Sequence, residues 1–453
     1  MTGAAGKASA ARGAGSGAAR GTGSAGAEAA AKAGAAPQAP ARRPGACGAA
    51  PLGAGDGPKI FAADVGTGTA DILVTLPGEP LENAVRLVVP SRTQVVARQI
   101  RAATAARRPV VFLGPVMGGG PDGAAMKAHV AAGLPFIAGE SAALTFADDL
   151  DRVRARGVEV VADAEASALA AEAVPAEASG AAGASGTADA SDVGATGDVE
   201  ATGDASRDTR PVVVRSGDLD VEGLRQVLQG LGVSPCFDAV CVAVQDHGFT
   251  SHGSNRVARF AFWEQALSDR RPLVDLFWPA DDVPATFTRL RAATALATEL
   301  GEGAPVLAAD TGPAALYGAM PESGDAVLVN AGNGHTVCVV ARDGRLAGVF
   351  EHHTSALDGA SLERFLRRFL AGELTSAEVR EDGGHGAVLA PGALEGLAGP
   401  MLVTGPRRDL LRGSGLALEF AAPHGDMMLT GCYGLLRAAG ERGLAGRRRG
   451  GTS

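Results

Sequence analysis

Large rings are scarce in this chain: aromatic residues make up 4% of 453, with two tryptophans and two tyrosines. The core must therefore be built from Val, Leu, Ile and Ala, and much of the abundant alanine is expected to lie outside it. Cysteine is also rare. Cys47, Cys236, Cys241, Cys338 and Cys432 are scattered and odd in number, which argues against a disulfide framework and fits reduced thiols in a cytoplasmic protein. The one close pair, Cys236 and Cys241, is weak support for a metal. No uncharged apolar run approaches the roughly 18 residues of a membrane span. The first fifty residues have no Leu- or Phe-rich stretch, so no secretory signal is expected. A basic excess is missing too. With 41 basic against 50 acidic residues the net charge is −9, which excludes a nucleic-acid footprint, and Arg447 to Arg449 in the Gly-rich tail are assigned no role.

Glycine, by contrast, is plentiful at 65 residues. Residues 1–57 are nearly all small, and 163–209 are small, polar and acidic; neither can bury enough surface to offset its ordering entropy, so both are expected to be disordered, like the tail 446–453. The rest alternates between short apolar runs and helical spacing. "KIFAADV", "DILVTL" and "AVRLVVPS" read as strands, "TQVVARQIRAATAA" as a helix, and the alternation continues to "TGCYGLLRAAG". That pattern predicts an α/β fold with mixed sheets.

Two stretches carry a chemical signal. In "KIFAADVGTGTADILV" (59–74) a greasy strand stops on Asp64, turns through Gly66, Thr67, Gly68 and Thr69, and returns past a second acid. Glycines let backbone N–H groups approach a ligand, and threonine hydroxyls add donors, so the tip suits phosphate oxygens. An acid at the strand end suits a water-coordinated Mg²⁺. The device recurs in "AVLVNAGNGHTVCVVARDGRLAGVF" (326–350), whose turn runs from Asn330 through Gly332, Asn333 and Gly334 to Thr336. Two such tips suggest duplicated halves clasping one ligand.

The order of these motifs resembles the actin, sugar-kinase and heat-shock-chaperone ATPase superfamily. "DVGTGTADI" matches its first phosphate hairpin, "ADTGPAALYGAM" (309–320) its first connecting helix and "VNAGNGHTVCVV" its second phosphate hairpin. "MLVTGPRRDLL" (401–411) is similar to its adenosine motif and "GDMMLTGCYGLLRAAG" (425–440) to its closing helix. The resemblance implies two ribonuclease-H-like lobes around a nucleotide cleft, lobe I over 58–303 and lobe II over 304–445. It further implies that Asp64 orients Mg²⁺, Gly66 to Thr69 cradle the ATP phosphates, and Asp310 orients the attacking water or serves as a second metal ligand. Gly332, Asn333, Gly334 and Thr336 would close over the phosphates, Gly405 and Pro406 would line the nucleoside pocket, and Gly431 would permit close helix approach. The chain departs from many relatives at Asn330, which stands where they carry an acid; an amide cannot take a proton at neutral pH. Asp246, Asp310 and Glu351 are the candidate replacement bases.

More closely, "DVGTGTADILV", "GPVMGGGP", "QDHGFTSHGSNR" and "FEHHTSALDG" resemble a family of uncharacterised proteins labelled pyruvate formate-lyase activating enzyme-like. Radical-SAM chemistry needs the C-x₃-C-x₂-C run that holds an iron–sulfur cluster, and the sequence has none. The expected activity is instead phosphotransfer to a small molecule or ATP hydrolysis, with a nucleotide-sensing or activator protein of little turnover as the alternative that Asn330 favours. A third alternative is a metal-dependent hydrolase. His247 and His252, with His352 and His353, follow strand ends and are candidates for substrate or metal contact. The Gly-rich loop of 112–130 is either an anion site or a domain contact. Expected partners are a nucleotide and a small-molecule or protein acceptor, with no nucleic acid and no membrane.

Overall fold

Apolar runs without alternating polar positions form strands buried on both faces, and such strands centre the sheets. The computed structural model describes residues 57–173, 209–249 and 255–444. His252, the expected terminal tails apart from residue 57, and most of the expected disordered insert lie outside those residues. In chain order the strands are β1 (Ile60–Val65), β2 (Thr69–Val74), β3 (Val85–Pro90), β4 (Val110–Leu113), β5 (Phe136–Gly139), β6 (Glu159–Val161), β7 (Val212–Arg215) and β8 (Ala239–Val244). There follow β9 (Phe277–Pro279), β10 (Val306–Ala309), β11 (Ala326–Ala331), β12 (His335–Arg342), β13 (Arg345–His353), β14 (Gly386–Leu389), β15 (Met401–Thr404) and β16 (Glu419–Phe420).

They make three sheets among the described residues, ordered β3-β2-β1-β8-β10-β9, β14-β13-β12-β11-β15-β16 and β6-β5-β4-β7. The two six-stranded sheets share a plan. Three antiparallel strands run β1-β2-β3 in one and β11-β12-β13 in the other, and the first of each trio is flanked by a parallel strand that pairs with a second, β8 then β10 or β15 then β16. The third sheet is wholly parallel and enters the chain between β3 and β8. Reading the sequence did not separate it.

A single apolar core joins the two six-stranded sheets. Ala62, Ala243 and Leu307 of the first and Leu328, Val339 and Val349 of the second pack with Leu316 and Tyr317 of the helix Thr311–Ala319 and with Cys432 and Leu435 of the helix Thr430–Glu441. Outer faces are closed by amphipathic helices. Gly359–Leu370 buries Leu362, Phe365, Leu366 and Phe369, one face at helical spacing, and starts at a capping box of Asp358 and Ser361.

Three expectations are corrected. Asp163–Ala173, placed at sequence level inside the disordered insert, is a helix. Its Ala166 and Ala170, one turn apart, are buried against the third sheet, and Asp163 accepts from the backbone N–H of Ser141 at 3.0 Å. Alanine is the best helix former, so small composition did not here mean absence of structure. The expected limit at 303/304 would also assign β10 to the later half, whereas it pairs with β8 in the first sheet. Cys241, Cys338 and Cys432 are free and buried, but Cys236 is disulfide-bonded, which corrects the expectation that all five cysteines are reduced thiols. No described helix is long and apolar enough to cross a membrane.

Candidate functional site

The two glycine turns are built alike. In the first the Gly66 N–H donates to the Thr69 carbonyl at 2.9 Å, and in the second the Gly332 N–H donates to the His335 carbonyl at 3.0 Å. The tips also meet. A Cβ placed on Gly68 would lie 2.7 Å from Asn333 Nδ2, and one placed on Gly334 would lie 3.2 Å from Thr67 Oγ1. Both turns line one cleft together with Thr311, Gly312, Thr404, Gly405, Pro406 and Gly431. Side chains are almost absent where the walls approach most closely: a Cβ on Gly405 would sit 2.4 Å from the Ala331 carbonyl oxygen.

At the floor stand two carboxylates. Asp64 and Asp71 are direct partners across the β1-β2 ladder, so both project from the same face of the sheet. Asp64 Oδ1 and Asp71 Oδ1 are buried without a hydrogen-bond partner. Burial, then the charges of Asp71 and Asp310, push the Asp64 carboxyl well above its ordinary value. Burial pushes Asp71 up to about 7, opposed by a hydrogen bond from Thr69 and reinforced by Asp426. Two unsatisfied acids side by side form an oxygen donor set for a hard cation. Gly431 makes room for them, since a Cβ there would fall 1.9 Å from Asp64 Oδ2. Sequence reasoning noticed Asp71 but gave it no role.

Asp246 and Asp310 do not line the cleft. Both oxygens of Asp246 are held by backbone N–H groups, Gly248 and Leu290, each at 2.8 Å. Asp310 caps the helix Thr311–Ala319 through Gly312 and takes two hydrogen bonds from Arg259, at 2.8 and 3.1 Å. Arg259 also donates to both oxygens of Glu351, at 2.7 and 2.9 Å. Burial raises the Asp310 carboxyl, but Arg259 outweighs it and the net shift is downward; at Glu351, wholly inside the second sheet, burial wins and the shift is upward. All three candidate bases are thus fastened into the scaffold. Thr336 is corrected as well: it is fully buried, bonded to the Thr354 hydroxyl at 2.9 Å, and His335 lines the cleft in its place.

The histidines sort differently from their sequence groups. His247 and His353 gather with His335 and His385, two residues that sequence reasoning missed. His352 points elsewhere, toward Phe365 and Asp382. Burial, then Arg259 among nearby charges, pushes His247 down to about 3 and His385 down to about 2, so both rings are neutral. The Gly-rich loop is a packing contact. A Cβ on Gly118 would strike the Arg289 guanidinium, which Asp218 holds at 2.8 Å, and Asp122 occupies the start of the following helix by accepting from Gly123.

A family model described as "Putative pyruvate format-lyase activating enzyme (DUF1786)" matches residues 117–178 and 168–410. No curated protein matches the chain. Among solved structures 25 chains match. One is titled "PilM-PilN type IV pilus biogenesis complex", at 15% identity and a TM-score of 0.25, covering 49% of this chain and 84% of that one; a score that low lends the likeness no weight.

Proposed function

The chain belongs to the DUF1786 family, and we propose that it binds a magnesium–nucleoside triphosphate, ATP by resemblance, in the cleft between its two glycine turns. The observation that carries this reading is the pair of unpartnered carboxylate oxygens, Asp64 Oδ1 and Asp71 Oδ1, beneath two turns of matching geometry. Mg²⁺ fits that donor set, since it is bound by one or two carboxylates plus phosphate oxygens. Bound there, it would offset phosphate charge. Thr67 and Thr69 and the N–H groups of both turns supply donors to the phosphates, while Gly405 and Pro406 form the wall for the nucleoside. Because the two tips touch, the phosphates enter by their separation, and a nucleotide then bridges two sheets of the same plan. That duplicated plan supports two ribonuclease-H-like lobes, with the limit between them placed after β10 rather than at 303/304.

Turnover on this reading is slow. Asn330 lines the cleft where an acid would serve as base, and Asp246, Asp310 and Glu351 are bound by backbone or Arg259. This favours a nucleotide-responsive protein over a kinase. The name of the family assigns iron–sulfur radical chemistry, for which the sequence has no C-x₃-C-x₂-C run. Titration calorimetry with ATP and Mg²⁺ tests the proposal: saturable one-to-one binding is expected, weakened about tenfold or more in Asp64→Ala, a loss of at least ~1.4 kcal/mol, with little ADP formed. Absence of binding to any purine nucleotide in either protein would sink the reading.

A pH dependence follows from Asp71. Its carboxyl titrates near 7 in the fold against an ordinary value of 3.8, so the metal-free folded state holds a proton that the unfolded chain has lost. The stability from that proton is complete below about 4 and disappears as pH rises through about 7. A cation on Asp64 and Asp71 must displace it. Mg²⁺-dependent affinity is therefore expected to rise with pH through about 7, by about tenfold per unit for each proton displaced, since the Asp64 carboxyl is raised as well. Calorimetry in two buffers of different ionisation enthalpy reads the released proton directly; equal heats in both would contradict the assignment.

A further inference from the structure

We propose that His247, His335 and His385 form a binding site for a divalent transition metal of the zinc class, separate from the carboxylate pair. Candidate ligand atoms of these three side chains lie within 4.8 Å of one another. They arrive from distant points in the chain. His247 follows β8 of the first sheet, His335 opens β12, and His385 precedes β14 and is held by its N–H to the Glu351 carbonyl at 3.0 Å. His353, the register partner of His335, closes the nest, its ring centroid 4.5 Å from that of His335 and 4.8 Å from that of His385.

Two observations point to a ligand rather than to mutual packing. His385 is 0% exposed, and both its ring nitrogens are buried without a hydrogen-bond partner. Leaving such groups unsatisfied costs about 1–3 kcal/mol each, and a bound ion is one of the standard reasons for them. The second observation is metric: His247 Nε2 and His335 Nε2, which share a hydrogen bond in the metal-free protein, are 3.1 Å apart. Two nitrogens at about 2.0–2.1 Å from a tetrahedral zinc lie roughly 3.3 Å from each other, so this pair already has near-ligating separation. Imidazole suits zinc, copper, iron and nickel, whereas oxygen donors suit magnesium, so the two sites select different ions. Of the guanidinium groups that act on these rings, Arg259 is matched by Asp310 and Glu351 and Arg289 by Asp218 in direct contact, while Arg256 is exposed to solvent. His335 belongs to the wall of the cleft as well, so metal here would pin the second glycine turn to the loop after β8.

The test uses the full chain, stripped with chelator and then titrated with Zn²⁺ alone or Co²⁺ alone, without nucleotide. One equivalent per chain should survive gel filtration, Co²⁺ should show the visible bands of a low-coordinate nitrogen-ligated ion, and Zn²⁺ should raise the melting temperature. His385→Gln and His247→Gln should each lose affinity by tenfold or more, because even outer partners of metal ligands are worth 10–100-fold. Asp64→Ala should keep it, which separates this site from the nucleotide reading. Should His385→Gln fail to fold, the half-buried His247→Gln carries the comparison, with metal-free melting as the check on folding. Less than stoichiometric retention by the parent chain, or retention by His247→Gln equal to the parent's, would overturn the proposal.

Discussion

Arg259→Met is expected to cost about 3–5 kcal/mol of stability, the range for breaking a buried ion pair by removing one partner. Arg259 is 3% exposed and lies on the helix Asn255–Ser268. Its guanidinium reaches Asp310, which follows β10 of the first sheet, and Glu351, on β13 of the second; it also donates to the Asp246 carbonyl at 2.7 Å. Trp263 Nε1 adds a bond to Glu351 at 3.0 Å. One side chain thus links the ends of two sheets. Methionine has similar reach and no charge, so two buried carboxylates would lose their counter-ion and both would titrate upward. The sign follows: a folded-state value raised above the unfolded one contributes stability at low pH that is lost as pH rises. The deficit measured by urea unfolding should therefore be larger at about pH 8 than at about pH 5. Adding Glu351→Gln to Arg259→Met should recover part of it. A deficit under about 1 kcal/mol, the level of an exposed pair, would mean that the triad is not holding the sheets.

Most of the cleft was legible because its grammar is local. Gly66 and Gly68, like Gly332 and Gly334, announce a tight turn, and the apolar runs on either side announce its strands. Asp71 was legible too in principle. In a hairpin closed by Gly66 and Thr69, residues equidistant from the tip face each other, which pairs Asp64 with Asp71. The role given to Thr336 failed by the same count: alternation along β12 turns it into the core, bonded to Thr354, and turns its neighbour His335 to the cleft. What sequence could not show depends on contacts across long spans. His385 stands alone in the chain, and only β14 pairing with β13 brings it to His353. Asp246 and Asp310 looked available as bases because nothing in their neighbourhoods names Arg259 or the N–H of Leu290 as partners. The third sheet reads as ordinary βα alternation, since an inserted layer has the same periodicity as the layers it interrupts. The helix Asp163–Ala173 was hidden for a different reason: alanine serves helix and spacer equally, and what decides is whether Ala166 and Ala170 find a surface to cover.

Gly434→Ala is the second large effect expected. The helices Thr311–Ala319 and Thr430–Glu441 cross backbone to backbone. A Cβ on Gly434 would lie 2.0 Å from the Ala314 carbonyl oxygen, and one on Gly318 would lie 1.9 Å from that of Thr430. Both obstacles are main chain, so no rotamer change relieves them and the helices must part. Overpacking a core costs roughly 1–3 kcal/mol and occasionally more, and a clash with main chain falls at the upper end, about 3 kcal/mol. Helix propensity pulls the other way by about 1 kcal/mol, which is too little to reverse the sign. Gly440, on the same helix with nothing within 4 Å of its added Cβ, isolates that propensity: Gly440→Ala should be neutral or stabilising by up to about 1 kcal/mol. The first turn of the Thr430–Glu441 helix carries Gly431 against Asp64, so a helix displaced by Gly434→Ala also moves away from the carboxylate pair. Urea midpoints for the two variants, read beside their Mg²⁺-ATP affinities, should separate: Gly434→Ala loses both stability and affinity, and Gly440→Ala loses neither. Equal stability in the two variants would show that the helices can slide to admit a methyl group, and the close crossing would then not be what holds Asp64 in place.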